Sequence, residues 1–413
     1  MKPLNGLMLF DGFLYFYIIM YIFNPDNDLA LANFSPHFTA PTSALKMRHD
    51  LAMLPVWYAT DGALVIAEGE LNNKHLSCLK ELLPITASLI SYGQIDDYPH
   101  SQVIPWGWNP RLRKEFLELR LNKQLLPSLK DIELLRSYSN RQNAVKLLEQ
   151  LKLFNPKLCG ESYYYTNIDE LLVYLSKARG NQVLKMPYSG SGKGIVWLKD
   201  VITDKQTDWC RRVIRMQGGV VVEPVLDKVQ DFAMEFEMSD VGIRFVGYSL
   251  FQSAPSGAYL GNVLLSDVEI EDKLSTFIER SQLLELKAIL KTKLSIFFPH
   301  YRGYLGVDMM VCKTEASTYQ LQPCVEVNMR MNMGIVAHRI NERFVHPNST
   351  GLFFISFYKK EGEAQSNSLA MQAEYPLVIK DGKIKSGYLA LTPIDKHTKY
   401  TATIAIKEKS RRE

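Results

Sequence analysis

Gln182-Val183-Leu184-Lys185-Met186-Pro187-Tyr188-Ser189-Gly190-Ser191-Gly192-Lys193-Gly194-Ile195-Val196-Trp197-Leu198 reads as a strand, a glycine-rich loop and a second strand. A GxxxxGK[ST] loop would need Gly at 187 and Ser or Thr at 194, and the chain has Pro187 and Gly194. GxGxxG fails too, because the glycines fall at 190, 192 and 194. Ile195 to Leu198 has strand character, so the loop joins two antiparallel strands. Glycines at such a tip let backbone N–H groups lie close over phosphates. Ser189 and Ser191 add hydroxyls, and Lys185 adds an ammonium from the preceding strand. A plain Gly/Ser turn is the competing reading.

Further along, Tyr304-Leu305-Gly306-Val307-Asp308-Met309-Met310-Val311 is an apolar strand with a single acid. A polar turn separates it from Tyr319 to Asn328, followed by Met329-Arg330. A hairpin would set Asp308 beside Glu326. The period of two puts Glu326, Asn328 and Arg330 on one face if the strand runs that far. Two carboxylates and an amide oxygen suit Mg²⁺, which takes its remaining ligands from water and ATP phosphates; Mn²⁺ is the alternative. Surface acids on edge strands are the competing reading. Between loop and acids lies Gly218-Gly219-Val220-Val221-Val222-Glu223-Pro224-Val225. Backbone groups at its end could read an adenine edge, and Asp231 could accept ribose hydroxyls.

The 413 residues allow two or three domains. Apolar residues at 46% and charged residues at 22% exclude a disordered chain and a coiled-coil rod. With 48 basic and 44 acidic residues the net charge is only +4, which argues against a nucleic-acid partner. Five scattered cysteines with no CxxC argue against a disulfide framework or a zinc site, and for a reducing, cytoplasmic setting. Residues 12–23 are almost wholly apolar but too short to span a membrane. Tyr21-Ile22-Phe23 reads as the first buried strand, so residues 1–19 are expected to be an upstream extension. An interfacial or signal-like segment is the alternative.

From 20 to 130, strands such as Ala63 to Ala67 alternate with helices such as Asn73 to Leu83, which predicts a parallel α/β unit. Asn140 to Leu151 and Glu285 to Phe298 have helical periodicity. The last forty residues read as antiparallel strands. Asn24-Pro25-Asp26-Asn27-Asp28 follows the first strand, where open α/β sheets bind ligands, so Asn24 and Asp28 are candidate substrate contacts beside a plain helix cap. Trp106-Gly107-Trp108-Asn109 reads as a packed turn or a substrate wall. Ser256 to Asn262 reads as a loop that could hold an acceptor through Tyr259 and Asn262.

The order of these parts is specific: a strand lysine with a Gly/Ser hairpin, VVVEP, GVD, then ExNxR. It resembles the ATP-grasp superfamily of the carboxylate–amine ligase type, over roughly residues 131–345. The resemblance implies an α/β (α+β) chain with a Rossmann-like pre-ATP-grasp domain at 20–130. Two ATP-grasp lobes would follow at 131–222 and 223–345, with a β-rich tail at 346–413 packed on the body. It implies that Lys185 and the flap residues Ser189, Gly190, Ser191, Gly192 and Gly194 meet the phosphates. Glu223 and the backbone of Val225 would meet adenine, and Asp231 the ribose. Asp308, Glu326 and Asn328 would hold Mg²⁺, and Arg330 and Lys185 would be catalytic. Where the family often has an Asp-Lys pair this chain has Asn140-Arg141, so Arg141 is carried across as an ATP contact. The activity implied is ATP- and Mg²⁺-dependent ligation of small molecules, with a carboxylate activated as an acyl phosphate and attacked by an amine. A small-molecule kinase and a non-catalytic ATP-binding regulator are the alternatives. No nucleic acid and no stable membrane insertion are expected.

Overall fold

The computed structural model describes residues 7–10, 13–16, 18–190, 194–254 and 256–409. The chain forms two compact units. One combines Met1–Glu133 with Arg339–Glu413, and the other is the contiguous segment Leu134–His338.

The first unit begins with a hairpin of β1 (Leu7–Phe10) and β2 (Phe13–Phe16). Next come β3 (Ile19–Ile22), β4 (Leu64–Ile66), β5 (Ser88–Ile90) and β6 (Gln102–Pro105). They form a parallel sheet in the order β5-β4-β3-β6. The chain leaves β3 toward β4 and returns on the other side as β6, so the order reverses between β3 and β6. Met20, Ile22, Ile66, Ile90 and Val103 pack with Leu112 and Phe116 of the helix Pro110–Glu118 as its core.

In the second unit, β7 (Tyr163–Tyr165), β8 (Gln182–Lys185), β9 (Ile195–Leu198) and β10 (Val220–Pro224) form a small sheet in the order β7-β10-β8-β9. β8 and β9 pair antiparallel, as the glycine loop between them requires. A larger antiparallel sheet runs β15-β14-β11-β12-β13. Its strands are β11 (Lys228–Ser239), β12 (Gly242–Ser253), β13 (Tyr259–Leu264), β14 (Gly303–Lys313) and β15 (Tyr319–Asn328). Tyr259 to Asn262 therefore lie on a strand, correcting the loop expected there. The two faces of this sheet differ, because side chains alternate along a strand. Phe232, Met234, Phe236, Leu305, Val307 and Met309 point into a core closed by two helices, Gln142–Phe154 and Arg280–Phe297. The first helix supplies Ala144, Leu147, Leu148 and Leu151, at the spacing of one helical face. Each such buried leucine contributes about 1.5–3 kcal/mol. The other face carries Asp231, Glu235, Ser249, Asp308, Glu326 and Asn328.

The returning segment adds β16 (Ser349–Phe357), β17 (Val378–Lys380), β18 (Lys383–Ala390) and β19 (Tyr400–Glu408), paired in the order β16-β19-β18-β17. It also holds a helix, Glu363–Glu374. Among the described residues, no helix is long and apolar enough to cross a membrane.

Candidate active site

The second unit holds most of the expected site. The hairpin β14–β15 places Asp308 directly opposite Glu326, and Gly306 opposite Asn328. Asn328 Nδ2 donates to Asp308 Oδ2 at 3.0 Å. Loss of water, and then the charges of Glu326 and Glu235, hold the Asp308 carboxyl well above its ordinary range; Asn328 and Arg330 pull the other way. A carboxylate pair crowded in this way attracts a cation. Its oxygen donors fit Mg²⁺ or Mn²⁺ better than a softer metal. Among the described residues no three His, Cys, Asp or Glu side chains cluster as a metal-binding group. Asp308, Glu326 and Asn328 thus bring two carboxylates and an amide together on one face of the sheet. β15 ends at Asn328, so Arg330 lies beyond the strand, its Nη1 donating to the Met331 carbonyl at 3.1 Å.

The small sheet presents Lys185. Its Nζ is 2.6 Å from Glu223 Oε2, and both groups are buried. Ser162 Oγ donates to the other Glu223 oxygen at 2.9 Å. The register sets Val221 opposite Lys185 and Glu223 opposite Val183, so the two charged side chains meet diagonally across β8 and β10. The Val225 N–H donates to the Asn181 carbonyl at 2.9 Å. Asp231 lies within β11 and accepts from Lys228 Nζ at 2.5 Å and from Ser253 Oγ.

In the glycine loop, Ser189 is buried and Gly190 half-buried. Gly194 has φ +77°, and a Cβ there would lie 2.8 Å from the Ser189 Cβ, so glycine is required. Ser191 and Gly192 lie outside the described residues. Arg141 stands between loop and carboxylates. It donates to Met186 O at 2.6 Å, to Ser189 Oγ at 2.7 Å and to Glu326 Oε1 at 2.7 Å.

Glu235 is the residue that the motif reading missed. It sits on β11 opposite Gly306, 1% exposed, and accepts from Asn332 Nδ2 at 2.8 Å. Burial raises its pKa to about 8, against the Asn332 hydrogen bond and the charge of Arg330. The available signal was the alternation Asp231, Ala233, Glu235 between Phe232, Met234 and Phe236, which places an acid on the Asp308 face. Nearby, Tyr259 Oη donates to Asn262 Oδ1, and Asn262 Nδ2 to Ser249 Oγ at 2.6 Å. Burial and then the charge of Glu235 push the Tyr259 phenol up.

Asn24 and Asp28 belong to the first unit. Asn24 is buried; its Nδ2 donates to the Gly107 carbonyl at 2.8 Å and its Oδ1 accepts from the Gly107 N–H at 3.4 Å. Asp28 lies in the first turn of the helix Asn27–Asn33. Trp106 packs edge-on against Phe23, and Asn109 caps the helix Pro110–Glu118, accepting from the Leu112 N–H. The stretches after β3 and β6 are thereby pinned together at the point where strand order reverses.

No family model matches the chain, and no curated protein matches its sequence. Solved structures do match. A biotin carboxylase from Campylobacter jejuni, solved as a β,γ-ATP complex, is 11% identical, with 95% of this chain and 88% of that one covered at a TM-score of 0.50. An N5-carboxyaminoimidazole synthetase from Staphylococcus aureus bound to ADP is 11% identical, with 95% and 93% covered at 0.48. An N5-carboxyaminoimidazole ribonucleotide synthetase from Thermus thermophilus is 11% identical, with 94% and 93% covered at 0.48. The first of these carries the comparison. From its near full-length match, and from the strand lysine, the GVD strand and the ExNxR stretch of the second unit, the chain has the ATP-grasp fold.

Proposed function

We propose that the protein is an ATP- and Mg²⁺-dependent ligase that activates a small carboxylate as an acyl phosphate for attack by an amine. The observation that carries this reading is the opposition of Asp308 and Glu326, with Asn328 on the same face. Lys185 and the glycine loop of the same unit supply the positive charge and close backbone that phosphates need. In the proposed reaction the substrate carboxylate attacks the γ-phosphorus and ADP leaves; the amine then displaces phosphate from the acyl carbon. The protein contributes position and charge, and little covalent chemistry. Lys185 leaves Glu223 to meet phosphate oxygens, and Arg330 stabilises the charge that develops on the transferring group. Asp308, Glu326 and Asn328 would hold Mg²⁺, which when bound neutralises phosphate charge. Glu223 and Val225 would face adenine, and Asp231 the ribose. The β,γ-ATP complex of the biotin carboxylase neighbour supports this reading. Tyr259 and Asn262 are the proposed substrate contacts of the second unit. A reducing, cytoplasmic setting is proposed from the spacing of the five cysteines, which form no CxxC pair.

ADP release screened over small carboxylates and amines, with hydroxylamine added, tests the reading. A hydroxamate identifies the acyl phosphate, whereas a kinase acting on a hydroxyl yields none. Asp308→Asn and Lys185→Ala should each lower turnover by on the order of a hundredfold or more. Near-normal ADP release from both folded variants would defeat the assignment.

A further inference from the structure

Arg141 has little left to offer a phosphate. A guanidinium has five N–H donors in a rigid fork. Nη1 donates to Met186 O and Ser189 Oγ, and Nη2 to Glu326 Oε1 and, at 3.4 Å, to Ser189 O. The four amino hydrogens are thus spent within the protein, and Nε is buried with no partner among the described residues. The Arg141 backbone N–H also donates to the Pro187 carbonyl at 3.1 Å. Every one of these acceptors except Glu326 lies at the root of the glycine loop, and Glu326 stands opposite Asp308.

We propose that Arg141 is a positioning residue: it holds Glu326 and the root of the glycine loop in one cradle, and does not itself meet the phosphates. The fork explains why this position suits arginine. A lysine brings one compact charge on a flexible stem and cannot satisfy acceptors on both sides at once. The carboxylate that would face the metal and the root of the glycine loop are therefore fixed by one side chain. A residue that orients a ligating carboxylate typically governs metal affinity by about 10–100-fold.

The proposal rests on the nucleotide–metal reading for its metal arm only. Its loop arm is tested on the full chain without nucleotide or metal. Trypsin cleavage after Lys193, within the loop, reports how firmly the loop root is held. Arg141→Lys, shown to be folded by its melting curve, should be cut faster than the parent protein. It should also need roughly tenfold more Mg²⁺ or beyond for half-saturation in the presence of ATP. Its ATP binding in EDTA should be unchanged. Loss of ATP binding in EDTA with unaltered cleavage would overturn the proposal, since a phosphate contact behaves that way. Unaltered cleavage and unaltered Mg²⁺ dependence would overturn it equally. Ser189→Ala removes one loop acceptor and leaves the arginine in place. It should also speed cleavage after Lys193, and if Arg141→Lys fails to fold, normal cleavage of Ser189→Ala overturns the proposal. A parent protein that binds no ATP in any condition defeats the nucleotide reading while leaving the cleavage comparison intact.

Discussion

A carboxyl group stripped of water keeps its proton, and Glu235 is such a group. Its pKa moves from 4.5 to about 8. Between those values the folded chain binds more protons than the unfolded one, so this residue's contribution to stability falls as pH rises across that range. Asp308 shifts in the same direction. The metal-free protein should therefore melt at progressively lower temperature from about pH 5 to pH 8. Glu235→Gln should flatten most of that decline and leave a residual slope from Asp308. Parallel melting profiles for the two proteins would show that burial does not govern this carboxyl. Asp308 and Glu326 were legible because an acid inside an apolar strand, followed by a hairpin and a second acid, fixes its own partner. Glu235 lacks such a mate in sequence: its neighbours are Gly306, across the sheet, and Asn332, 97 residues away. The role of Arg141 was hidden for the same reason, since its acceptors lie 45 to 185 positions along the chain.

The helix Met333–Phe344 begins beside Glu235, and the fit of its first turn depends on what is missing from two side chains. A Cβ on Gly306 would lie 2.5 Å from Glu235 Oε2 and 2.6 Å from Asn332 Nδ2. One on Gly334 would collide with Glu235 Oε1 and lie 2.5 Å from Ser249 Oγ. Asn332 fixes the same turn, its Oδ1 accepting from the Ile335 N–H at 3.0 Å. Gly334→Ala should cost about 1–3 kcal/mol through overpacking, read from the denaturant midpoint. Combined with Glu235→Ala the cost should shrink, because the two substitutions act on one space. Strict additivity, or a Gly334→Ala variant as stable as the parent, would refute this account. At this scale the sequence is a good guide where periodicity is long. The helix expected from Asn140 runs from Gln142 to Phe154, and the antiparallel strands around Gly190 form as expected. It misleads where a strand is rich in glycine and polar residues. Tyr259-Leu260-Gly261-Asn262 has loop composition, yet its backbone pairs with β12.

The larger division of the chain is into one contiguous unit and one assembled from both ends. The returning segment is built into the first unit. Trp57 Nε1 donates to the Leu391 carbonyl at 2.8 Å, and the Trp57 ring packs edge-on against Phe344. The buried Asp50 carboxylate accepts from the N–H groups of Lys399 and Tyr400 at 2.9 and 3.0 Å. Removing residues 346–413 should therefore raise amide exchange at Leu54–Tyr58. Unaltered protection there would mean that the segment only decorates the unit. The β-rich character of this tail was legible from its alternating Val, Ile, Tyr and Thr. Its bonds to Trp57 and Asp50 were not, because nothing local in the chain records a partner more than 300 positions away. The split also bears on birth at the ribosome. The contiguous unit has all its strands once His338 has emerged. The other must keep β3 to β6 waiting while residues 134–338 are synthesised, which at roughly 5–20 residues per second lasts on the order of ten seconds or more. During that interval the surface meant for Leu391 and the β16–β19 sheet is uncovered, so the early-made half is the natural client for a chaperone.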